Sequence, residues 1–179
     1  MKKIVSVFIC LLFAAATFGQ VFNTAGILKK GKISLGLNPS YYNDNLGFFI
    51  HGNVGVLSGI DFSCKYGFLD GSNYIGGDLE WEIMSRKPSL SVTTGAHYIN
   101  DIGLDCSLNI STSIKKGVYV YSGVDTDIEF ANDTYLLLWI PVGVDLRIKS
   151  KLSFIFEAEI PVSNSAFAII DGGIIFYFN

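Results

Sequence analysis

After Gln20 the sequence has no apolar run long enough to cross a bilayer as a helix, which takes about 20 residues, and no segment keeps a helical period. Strands are what remain. Chemistry-bearing residues are scarce as well. There are two histidines, His51 and His97, and three cysteines, with no phosphate loop, CxxC, HExxH or GxSxG. These absences predict no enzyme, no cofactor and no metal centre built on His or Cys. Cys10 lies in the apolar leader behind Ile9, too large a residue for a lipoprotein cleavage site. Cys64 and Cys106 fall on nonadjacent predicted strands and read as free thiols packed as small hydrophobes. Against these shortages, half of the residues are hydrophobic, mean hydropathy is +0.41 and net charge is −3. The length suits one domain, but the hydrophobicity is high for a soluble one.

The opening MKKIVSVFICLLFAAATFGQ has a basic start at Lys2 and Lys3, an apolar centre from Ile4 to Ala16 and small residues before Gln20. It predicts a secretory signal over residues 1–19, cut before Gln20, and a single domain over 20–179.

The remainder alternates apolar and polar residues at period two. In LSFIFEAEIPV, one register holds Leu152, Phe154, Phe156, Ala158, Ile160 and Val162, while the other holds Ser153, Glu157 and Glu159. The pattern predicts ten strands, at about 33–43, 46–56, 60–68, 74–83, 90–98, 102–110, 118–130, 134–148, 152–162 and 166–178; eight is the alternative count. Opposed residues of a hairpin share a face, so these strands need connections of odd length. Five have three residues: 57–59, 99–101, 131–133, 149–151 and 163–165. Pro141 and Pro161 fall inside predicted strands, where each removes a ladder donor. Odd-numbered turns carry NDN, DGSN, IND, AND and SNS; even-numbered turns carry LSG, SRKP, SIKK and KSK. An up-and-down meander therefore has an acidic or neutral rim and a basic rim, with both termini at the basic one.

Charge decides the faces. Of 16 acidic residues, Asp44, Asp70, Asp101 and Asp133 fall in turns. The others share the polar register: Asp61, Asp78, Glu80, Glu82, Asp105, Asp125, Asp127, Glu129, Asp145, Glu157, Glu159 and Asp171. Lys65, Arg147 and the rim residue Lys32 are the bases in that register, and no charge occupies the apolar one. Hydrocarbon imposes such a rule, because a charge facing lipid near the midplane costs kilocalories. Tyr41, Phe48, Phe68, Tyr74, Tyr98, Phe130 and Tyr135 cluster at the acidic-turn ends in the manner of an interfacial girdle. The rival geometry is a soluble secreted ligand-binding barrel with the faces exchanged.

With these patterns the chain resembles the small bacterial outer-membrane β-barrels without a plug or periplasmic domain. The ending GGIIFYFN, with Ile174, Phe176 and Phe178 alternating outward, resembles the terminal strand by which such barrels are recognised for assembly, although Asn179 follows the aromatic. The resemblance implies an all-β, up-and-down transmembrane barrel in the outer membrane, with the basic rim toward the periplasm. It also implies lipid and the barrel assembly machinery as partners, and no nucleic acid.

The expected lumen then carries the acids Asp61, Asp78, Glu80, Glu82, Asp105, Asp125, Asp127, Glu129, Glu157 and Asp171 against the bases Lys65 and Arg147. Loop lengths predict that Phe68 opposes Ile75, setting Lys65 against Asp78 and Asp61 against Glu82, and that Glu157 opposes Asp171. His97 is expected diagonal to Asp105. Three readings stay open: polar filling of a narrow barrel, a pore preferring small cations, and divalent cations at the acid pairs.

Overall fold

The computed structural model describes residues 23–178. Ten antiparallel strands close on themselves: β1 (Ile33–Tyr42), β2 (Asn45–Leu57), β3 (Ile60–Leu69), β4 (Ser72–Met84), β5 (Ser89–Ile99), β6 (Asp101–Lys115), β7 (Val118–Phe130), β8 (Thr134–Lys149), β9 (Leu152–Pro161) and β10 (Ile169–Phe178). Each pairs with its sequence neighbours, and β10 pairs with β1, so no edge is left open. The expected signal over 1–19 and the terminal Asn179 lie outside the described residues.

The registers predicted from the five three-residue connections are observed: Phe48 opposes Phe68, Tyr98 opposes Ile102, Phe130 opposes Thr134, Ile140 opposes Ile160 and Glu157 opposes Asp171. The DGSN connection differs from expectation. Asp70 and Gly71 alone make that turn, with Gly71 at φ 78°, and Leu69 pairs with Ser72. Phe68 therefore opposes Asn73, two residues from the predicted Ile75. The last connection also differs. β10 begins at Ile169, and residues 162–168 fold across the barrel end, held by Trp139 Nε1 donating to Phe167 O at 2.8 Å and Leu138 N donating to Ser163 Oγ at 3.1 Å.

Prolines interrupt the ladder without shifting it. The β7–β8 pairing runs from Ser122–Val142 to Asp125–Trp139, and the β1–β10 pairing from Leu37–Ile174 to Ser40–Asp171. Pro141 and Pro39 sit in the gaps, where the missing N–H removes a bond. Ser122 Oγ donates to Pro141 O at 2.8 Å across the first gap. Pro161 ends β9.

Apolar side chains make the outer wall. Phe156, Leu136, Leu108, Ile75, Ile102, Ile140 and Ile160 are all exposed. Tyr41, Phe48, Phe68, Tyr98, Phe130 and Tyr135 are exposed too, but Tyr74, predicted among them, is buried inside. The interior is packed with rings, and glycines on the inner face make room for them. A methyl group on Gly36 would overlap the His51 ring, on Gly67 the Phe49 ring and on Gly143 the Tyr121 ring, each the directly opposed residue on the neighbouring strand. Gly143→Val should cost about 1–3 kcal/mol, the usual price of forcing volume into a packed interior. Its urea midpoint should fall below that of Gly172→Ala, whose added carbon reaches only ordinary contact with outward Phe156 at 3.4 Å.

Candidate functional site: the barrel lumen

Ten carboxylates have their residues buried within the wall: Asp61, Asp78, Glu80, Asp105, Asp125, Asp127, Asp145, Glu157, Glu159 and Asp171. Period-two strands place them there, since each alternates with an outward apolar neighbour. Two of the expected acids stand at the ends of the lumen, outside its fully buried stretch. Glu82 is exposed at the terminal end of β4, beyond the ladder position where Glu80 meets Asp61, and Glu129 is half-buried near the opposite end. For Glu82 the two-residue shift in the β3–β4 register is the cause, because it advances Glu80 into the place predicted for Glu82.

Lys65 is the buried lysine of the described residues, and its Nζ lies 2.9 Å from Asp78 Oδ2. The contact is diagonal, since Lys65 opposes Gly76 and Asp78 opposes Ser63. Ser63 Oγ donates to Asp78 at 3.2 Å, and Ser91 Oγ donates to Glu80. His97 Nδ1 lies 2.7 Å from Asp105 Oδ1, and its ring stacks on Tyr74 with centroids 5.2 Å apart. Asn109 Nδ2 donates to Thr93 Oγ1 and Ser107 Oγ. Arg147 stands at the terminal mouth with Nε 2.8 Å from Asp145 and its guanidinium over the Tyr119 ring. Cys64 and Cys106 are free thiols.

Two apolar clusters interrupt the polar interior. Phe49, Tyr74, Tyr121, Ile155 and Ile175 form one; Leu137, Trp139 and Ile169 form the other, with Tyr42, Ala166 and Phe167 against it. The terminal end is occupied by the chain itself. Residues 23–28 enter the lumen ahead of β1, where Ala25 is buried and Leu28 N donates to Asp61 Oδ2 at 2.9 Å, while Lys29, Lys30 and Gly31 are exposed. Gly31 N donates to Gly55 O at 2.7 Å and Gly55 N to Lys32 O at 2.9 Å. Gly55 has no side chain because the backbone of Leu28 and Lys29 lies where its Cβ would be. Alternation alone did not reveal this segment, since its residues carry no strand period.

Closure, tilt-compatible strand length and an apolar outer belt are the features of a transmembrane β-barrel of the outer-membrane type. No family model and no curated protein matches the sequence. Among solved structures the chain is similar to the KdgM porin, with a TM-score of 0.54, 10% identity and 82% of this chain aligned to 99% of that one. It is similar to the NanC porin with a TM-score of 0.52, 11% identity and 79% aligned to 98%. The translocator domain of the autotransporter NalP from Neisseria meningitidis aligns over 87% of this chain and 90% of that one, with a TM-score of 0.50 and 6% identity. Likeness at these identities defines the fold.

Proposed function

We propose that this chain is a structural, non-enzymatic barrel of the bacterial outer membrane whose acidic lumen is filled rather than conducting. The observation that carries the reading is the exposure of the inner wall. Trp139, Ile155, Asp127, Glu159, His51 and Lys65 are 0–2% exposed, whereas the wall of a water-filled pore would be wetted along its length. The outer belt takes lipid as its solvent, the strand Ile169–Phe178 is the element offered to the assembly machinery, and the basic-turn rim faces the periplasm. The second reading, a narrow channel preferring cations, is favoured by the excess of buried carboxylates over the one buried lysine among the described residues.

Cell fractionation and bilayer recording test both. The protein should sediment with the outer membrane and migrate faster on gels before boiling than after, because a closed hydrogen-bonded barrel resists cold detergent. In planar bilayers it should produce no conductance steps. Cation-selective steps that lose their preference in Glu157→Gln plus Asp171→Asn would replace the filled barrel with the channel. Recovery as a soluble periplasmic monomer would exchange the solvents of the two faces and favour a ligand carrier.

A further inference from the structure

Glu157 and Glu159 of β9 and Asp171 of β10 bring one carboxylate oxygen each to a common point, all within 4.8 Å of one another. The register causes it: Asp171 directly opposes Glu157, and Glu159 lies two residues along the same face. All three residues are buried. Carboxylates at this spacing, shut away from water, repel strongly unless one takes up a proton or a positive charge lies among them. Lys65 is engaged by Asp78.

A further observation points to a ligand. Both carboxylate oxygens of Glu159 lack a hydrogen-bond partner, although the residue is only 1% exposed. Ser40 opposes Asp171 across the β1–β10 seam and brings a hydroxyl oxygen beside it.

We propose that Glu157, Glu159 and Asp171 hold one divalent cation of the calcium or magnesium class inside the barrel. An all-oxygen set selects a hard ion over zinc or copper, which favour imidazole and thiolate. Oxygens within 4.8 Å of one another can close around calcium, at about 2.3–2.6 Å, or around magnesium, at about 2.1 Å. The ion ties β9 to β10 beside the seam that closes the barrel, so its role is to stabilise the closed form.

The test uses the folded full-length barrel in detergent. After incubation with calcium chloride and desalting, elemental analysis should find one calcium per wild-type chain. EDTA should remove it and lower the urea midpoint, and added calcium should restore both. Glu159→Gln keeps the volume of the side chain; it should still show heat-dependent gel mobility but retain no calcium and give the same midpoint with or without EDTA. Asp171→Asn should behave alike, and serves if the first variant does not fold. A wild-type chain that retains neither calcium nor magnesium, with one midpoint in EDTA and in either ion, would overturn the site. So would a Glu159→Gln barrel more resistant to urea than calcium-treated wild type, because repulsion without an ion would then explain the cluster.

Discussion

Lys65→Met should destabilise the folded barrel by about 3–5 kcal/mol, the loss expected when one member of a buried ion pair is removed and the other remains. Lys65 and Asp78 are both buried, and their charged atoms are 2.9 Å apart. Methionine nearly keeps the volume, so the loss reports charge rather than a cavity. It leaves Asp78 with the Ser63 hydroxyl but no cation, in an interior that also buries Asp61, Glu80 and Asp105. Urea unfolding followed by gel mobility measures the change. The double variant Lys65→Met with Asp78→Leu should recover much of it, since replacing both members by apolar groups is often neutral. A single variant as stable as wild type would mean that water reaches Asp78, and with it that the lumen is open.

Phe156→Arg should cost about 2–4 kcal/mol in a bilayer, the penalty for a cation facing hydrocarbon near the midplane, and should reduce the assembled fraction. Phe156 lies in the middle of β9 and is exposed on the outer wall. Leu46→Arg, near the first turn of the far end and 76% exposed, should cost only about 0–1 kcal/mol, because the penalty falls toward the interface. The contrast between the two variants, read by folding into vesicles of defined thickness, locates the apolar belt. Equal tolerance of both would assign water to the outer wall.

The strands and most of the pairing were legible because period two and loop parity are local rules. Ser150 between two long runs is enough to place Ile140 opposite Ile160. The filling of the lumen was less legible. Alternation equates apolar with outward, so Phe49, Leu137, Ile155 and Ile169, which pack inside, are invisible to it. Tyr74 was assigned to the girdle by its place near a turn, yet it lies inside against Phe49 and His97. The glycines of the polar register did carry a signal: each opposed ring needs a partner without a side chain, as Gly143 shows for Tyr121. The carboxylate group on β9 and β10 was visible as the Glu157–Asp171 pair, with Glu159 two residues along the same register.

The residues ahead of β1 make closure and filling a single event. Residues 23–28 precede the first strand, yet they lie inside a wall that is complete only when β10 meets β1. A ribbon of nine strands would present this stretch, together with Asp61 and its neighbours, to the surrounding water. Pairing of β10 with β1 and burial of this stretch against Asp61 therefore belong to one folded state, and loosening the seam would wet both.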